Sequence, residues 1–124
     1  RMCLLIAVLE KRMGLKFYEN DVYLNVAGGI RLDEPSADLS IAMALISGIT
    51  DKVIDDSLIA FGEIGLSGEL RSVPRVQARI TEAARMGFKQ CIMPKSSLKQ
   101  VTAAPENIKL IGVRRLSEAV ALIK

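Results

Sequence analysis

The sequence predicts a mixed α/β domain, and three observations carry that prediction. Short apolar runs with strand character, at 22–26, 58–64, 88–93 and 108–113, are separated by stretches whose apolar residues recur at helical spacing. Strands that alternate with helices in this way build a sheet with helices packed on it. The 124 residues, half of them apolar and a quarter charged, suffice for one domain with a sizeable core.

Taken in order, Met2, Ile6, Leu9 and Met13 step by four, three and four residues, an amphipathic helix that ends near Gly14. Val22, Leu24 and Val26 alternate with Tyr23 and Asn25 as a strand stopped by Gly28 and Gly29. Pro35 has the fixed φ that suits a first helical position, and it opens a helix to about Gly48. Leu39, Ile41, Met43, Leu45 and Ile46, with alanines at 42 and 44, make that helix apolar nearly all round, so it belongs in the interior. Leu58 to Ile64 is a second strand, turned by Gly65-Leu66-Ser67-Gly68 into a short third at Glu69-Leu70-Arg71. Pro74 opens another helix, with Val73, Val76, Ile80, Ala83 and Ala84 on its apolar side and Gly87 ending it. Phe88 to Met93 is a strand stopped by Pro94, after which Ser96 or Ser97 caps one helical turn. Ile108 to Val113 is the last strand, and Leu116, Ala119, Val120 and Ile123 mark a closing helix.

Composition removes several function classes. With no His there is no imidazole metal ligand and no His-based triad. Cys3 and Cys91 are too few and too far apart for a disulfide framework or a zinc site. No apolar run reaches the roughly 18 residues of a membrane span and no signal peptide is present, so the expectation is a cytoplasmic chain without a membrane partner. An apolar helix that begins directly at Arg1 reads as a segment of a longer protein. The net charge of +3 is unevenly placed: Glu69 to Lys124 holds eleven Lys or Arg against four acids, whereas the first fifty residues hold five against six. This asymmetry points toward a polyanion partner. Two Tyr and three Phe argue against a base-stacking platform.

No G-x-x-x-x-G-K-[ST] is present, and Gly28-Gly29 lacks the third glycine of a dinucleotide fingerprint. Asp33, Glu34 and Asp38 suit a hard cation in principle, but a solvated loop with helix-start acids explains them more simply. Ser36 stands at the mouth of the buried helix beside the unpaired N–H groups of the first turn, the place of a cap or of a nucleophile. A serine activated by a neutral lysine needs no His.

Gly62-Glu63-Ile64-Gly65-Leu66-Ser67-Gly68-Glu69-Leu70, the helix to Gly87-Phe88-Lys89, and Ile92-Met93-Pro94-Lys95 together resemble the proteolytic domain of Lon proteases. Asp33-Glu34-Pro35-Ser36-Ala37 is similar to that family's D-G-P-S-A nucleophile motif. The resemblance covers nearly the whole chain. It implies a single Lon-like domain over residues 1–124, with a mixed sheet and packed helices in the fold shared with the second domain of a small-subunit ribosomal protein. It places Ser36 at the nucleophile position. Counted without a gap, the Lon lysine falls on Gln77, which shares a helix face with Val73, Ile80 and Ala84 and so borders the core. An amide nitrogen cannot take the proton of a serine, and Arg75 and Arg79 stay protonated. Asp38 replaces the small Gly of the motif. The resemblance therefore implies a degenerate site, Ser36 with Gln77, and no catalytic residue.

Leu9-Glu10-Lys11-Arg12, Asn25-Val26-Ala27-Gly28-Gly29-Ile30 and Phe61 to Glu69 are similar to the C-terminal Lon-like domain of the RadA family of bacterial DNA-repair ATPases. That resemblance implies a non-catalytic scaffold in a six-membered ring, working in repair, recombination and branch migration. It also implies sequence-independent contact with single-stranded or branched DNA. ATP, magnesium and zinc are then expected in upstream parts of the parent protein, with no cofactor in this segment. Arg31, Arg71, Arg75 and Arg79 would line the ring channel and meet phosphates. Three rival readings stand beside it. In one, Arg75 and Arg79 form a solvated face paired with Glu82. In another, the domain is a Lon-type serine peptidase using Lys89 or Lys95 as a displaced base. In the third, it is a purely structural oligomerisation domain.

Overall fold

A computed structural model describes residues 35–123. The helix read at 2–13, the strand read at 22–26, the Gly28-Gly29 stop, Cys3, Arg31, Asp33 and Glu34 lie outside the described residues.

A 3-10 turn, Pro35–Ala37, leads into helix α1, Asp38–Thr50. Strands β1 (Leu58–Ala60), β2 (Glu63–Ile64) and β3 (Leu70–Arg71) follow, then helix α2 (Val76–Arg85). Strand β4 (Gln90–Pro94), the single turn α3 (Lys95–Leu98), strand β5 (Lys109–Val113) and helix α4 (Leu116–Val120) complete the order. β1, β4 and β5 form a parallel sheet with β4 in the middle, so that Ile59, Cys91 and Leu110 lie in one row. β2 and β3 make a separate antiparallel pair, Glu63 opposite Arg71. The domain is mixed α/β, as expected.

The central strand is buried on both faces, as parallel strands covered by helices are. Its alternation divides the core into two layers. Ile92 packs with α1 and α4, among Leu39, Ala42, Met43, Leu116 and Ala119. Cys91 and Met93 face the other way, toward Val73, Val76, Ile80 and Ala83 at and around α2. Leu39, Ala42, Ile80, Cys91, Ile92, Met93 and Ala119 are fully inaccessible. The expectation that α1 is central holds.

Three boundaries differ from the sequence reading, each for a local reason. The run 58–64 is broken in two, because the chain leaves the parallel sheet at Phe61 and Gly62. Phe61 N–H still donates to Ile92 O (3.1 Å), but Gly62 N–H turns to Ser36 O (2.9 Å). Gly62 has φ 155°, and a Cβ there would come within 3.0 Å of Pro94. Pro74 does not open α2; Arg75 intervenes in the left-handed region (φ 62°), and the first helical residue is Val76. Pro94 ends β4 from inside it, and Ser97 is buried within α3 rather than capping it. The stop at Gly87 is as expected. With φ 94° it closes a Schellman motif, Phe88 N–H to Ala83 O and Gly87 N–H to Ala84 O, both 3.1 Å.

Candidate functional site

The backbone of Ser36 is tied to Gly62, and Ser36 does not occupy the cap position of α1. It is buried in the 3-10 turn, and the cap position falls on Ala37, which makes no side-chain cap bond. Three hydrogen bonds stitch this helix mouth to the segment leaving β1. Gly62 N–H donates to Ser36 O (2.9 Å), Leu39 N–H to Gly62 O (3.0 Å), and Ile64 N–H to the Asp38 carboxylate (3.0 Å). Leu39's N–H is one of the first-turn donors that a helix cannot satisfy internally. Asp38, expected among solvated acids, is instead fully buried at the first helical position. Its carboxylate completes the tie between α1 and β2, and its charge opposes the positive end of the helix.

Ser36 opens onto a cleft of about 590 Å³. Ala37 and Ser40 border it on the α1 side, Ile59 to Phe61 form its floor, and Arg75, Ala78, Arg79, Glu82 and Met86 form the facing wall. Arg79 is anchored there, with Nε donating to Pro74 O (2.8 Å) and the guanidinium carbon 5.8 Å from the centre of the Phe61 ring. Glu82 pairs with Arg85 rather than with Arg75 or Arg79, and that partner holds its carboxyl below the usual range. The expected solvated pairing of Arg79 with Glu82 therefore gives way to a contact with Phe61 and the chain before α2.

Gln77 is elsewhere. Its side chain is half-buried and clasps the 102–103 segment, with Oε1 accepting from Thr102 N–H (2.8 Å), Ala103 N–H (3.1 Å) and the Thr102 hydroxyl (3.0 Å). Nε2 donates to Ala103 O (2.8 Å) and to the Thr81 hydroxyl (3.2 Å). It does not line the Ser36 cleft, and neither do Lys89 and Lys95. Of the four arginines singled out in the sequence, Arg75 and Arg79 share the cleft. Arg71 lies on β3 beside Glu69 (3.5 Å), and Arg31 is outside the described residues. Among the described residues no three metal-ligating side chains gather, and no helix is long and apolar enough to cross a membrane.

Sequence reasoning missed a second recess of about 250 Å³, lined by Leu70, Lys95, Ser96, Lys99 and Arg114. It also missed the Glu69 carboxylate as the organiser of the 65–69 turn, where it accepts from Ser67 N–H (3.2 Å) and the Ser67 hydroxyl (2.8 Å). The hydroxyl bond leads the causes that lower the pKa of Glu69. A G-x-x-G turn followed at once by an acid was the available signal for that organiser.

Residues 6–121 match the family model of the Lon protease (S16) C-terminal proteolytic domain. The chain belongs to the Lon C-terminal proteolytic domain family. Within that family its similarity is to RadA. It is 41% identical over 122 residues to the DNA repair protein RadA of Escherichia coli (strain K12), covering 98% of this chain and 26% of that protein. It is 45% identical over 119 residues to the protein of the same name from Bacillus subtilis (strain 168), covering 96% and 26%. It is 46% identical over 118 residues to that of Streptococcus pneumoniae, covering 95% and 28%. This Lon-type domain thus spans about a quarter of the length of the curated relatives it matches.

Proposed function

We propose that this Lon-type domain has no peptidase activity and serves as a scaffold and DNA-contacting part of a RadA-type repair ATPase, acting within a ring. The observation that carries the reading is Gln77. The position that resembles the Lon lysine holds an amide, that amide is committed to Thr102 and Ala103, and no lysine lines the Ser36 cleft among the described residues. A serine hydroxyl needs a group that accepts its proton, and the guanidinium groups of Arg75 and Arg79 do not. The same two side chains give the cleft wall a positive character suited to phosphate contact without base readout. Ring assembly multiplies such weak contacts.

The test uses the full-length protein carrying this domain. Incubation with casein and with a fluorophosphonate probe should give no cleavage and no labelling of Ser36 above that of an ordinary serine. Anisotropy of labelled single-stranded and branched oligonucleotides across a salt series should show binding that weakens steeply with salt. Arg75→Gln with Arg79→Gln should flatten the slope of log affinity against log salt by up to about two units. Casein cleavage that is lost in Ser36→Ala would make the domain a peptidase. An unchanged slope would leave it a scaffold without DNA contact.

A further inference from the structure

The carboxyl ends of β4 and β5 carry a feature separate from the Ser36 cleft. The two strands are parallel and in register, with Pro94 opposite Val113. The next residue of each, Lys95 and Arg114, therefore leaves the sheet at the same edge, side by side. Lys99 follows Lys95 by four residues, just past the single turn of α3, and returns to the same side. Gly112 favours this: a Cβ there would meet the Leu98 side chain, with Cγ at 3.1 Å, and the Lys95 backbone at 3.2 Å, so α3 settles closely on β5 where a glycine stands. The result is the recess of about 250 Å³ walled by Lys95, Lys99 and Arg114, lined also by Ser96 and Leu70, with no acid among the described lining residues.

Resting on the DNA-contacting reading above, we propose that this recess is a phosphate-binding site that takes a backbone phosphate of a nucleic-acid strand. Three like charges around one hollow repel one another, and an anion seated between them removes that repulsion. No described ion pair neutralises any of the three. The size of the recess narrows the ligand class. It falls below the roughly 300–1,000 Å³ of small-molecule pockets, so it suits one anionic group of a larger chain better than a whole metabolite. The Ser96 hydroxyl supplies a neutral donor beside the cations, and among the described residues no aromatic ring borders the recess to stack a base. The contact is therefore to phosphate alone, at a second station distinct from Arg75 and Arg79.

The test is the salt dependence of oligonucleotide binding by the full-length protein and by variants. Lys95→Gln, Lys99→Gln and Arg114→Gln together should lower the slope of log affinity against log salt by about one unit, the share of one phosphate. Lys99→Gln alone should lower it by part of that unit, which keeps the test valid if the triple variant does not fold. Lys95→Arg with Lys99→Arg should retain the slope. An unchanged slope in the Gln variants, with the Arg75 and Arg79 pair still lowering it, overturns the recess and leaves the first station standing. Unchanged slopes in both sets overturn the DNA-contacting reading as well. Deoxythymidine monophosphate should compete poorly, because one phosphate cannot replace a strand that spans several sites. Strong competition by it would assign the recess to a free phosphate ester, and equal competition by polyglutamate would assign it to an acidic protein segment; either result overturns the proposal.

Discussion

The Asp38 carboxylate and the Ile64 amide are joined by a buried hydrogen bond of 3.0 Å that fastens the first residue of α1 to strand β2. The two are 26 positions apart, so the bond ties together segments distant in the sequence. Asp38→Ala would leave the Ile64 amide without its acceptor in a dry interior. The expected loss is about 1–3 kcal/mol of stability, measured by denaturant unfolding. An unchanged midpoint would show that the two segments hold together without the bond.

Gln77 secures the 102–103 segment to α2 through both ends of its amide. Gln77→Ala should speed hydrogen exchange at the Thr102 and Ala103 amides far more than at the amides of β4, a local loosening and not a global one. Gln77→Lys alone should not create casein cleavage, because position 77 faces that segment and not Ser36. Efficient cleavage by this single variant would mean that the helix can turn its side chain into the cleft.

Gly112 sits directly beneath Leu98 and the Lys95 backbone. Gly112→Ala should cost about 1–3 kcal/mol by overpacking. Combining it with Leu98→Ala should recover part of that loss, since the flexible side chain is relieved while the backbone contact remains. Strictly additive losses in the double variant would place the strain elsewhere.

Glu69 gives the domain an acid limit. Its pKa is lowered in the folded chain, first by the Ser67 hydroxyl. A carboxyl with a depressed folded value contributes stability that is present above its unfolded value and lost as pH falls through the folded one. Thermal midpoints should therefore begin to decline below about pH 4.5, and Glu69→Gln should make that decline shallower. Glu82, lowered by Arg85, acts in the same direction. Identical acid profiles in wild type and Glu69→Gln would remove the turn from the explanation.

What the sequence made legible follows from how local each signal is. The all-round apolar run of α1, the Gly87 stop and the strand ending at Val113 depend on neighbouring residues, and each was readable. The break at Phe61 and Gly62 was not, since Leu58 to Ile64 is apolar enough to pass for one strand and the partner that draws the chain away, Ser36, is distant. Arg75 gave no warning of its left-handed conformation, because that region is usually signalled by Gly or Asn. Helical spacing grouped Gln77 correctly with Ile80 and Ala84 on one face of α2, but Val73, counted with them, precedes the helix. It could not tell that this face meets the segment at 102–103 instead of Ser36. The recess of Lys95, Lys99 and Arg114 depends on strand register, which no spacing along the chain reveals.

Cys91 lies in the middle row of the central strand, fully inaccessible, and burial pushes its thiol up to about 12. At neutral pH it is neither ionised nor reachable, so its chemistry is silent while the sheet is closed. A thiol reagent can consume it only after β4 parts from its neighbours. With Cys3 replaced by serine, the rate of that consumption is then a clock for the opening of the sheet. Whatever a bound partner does to the rigidity of the domain becomes readable as a change in the tempo of one reaction.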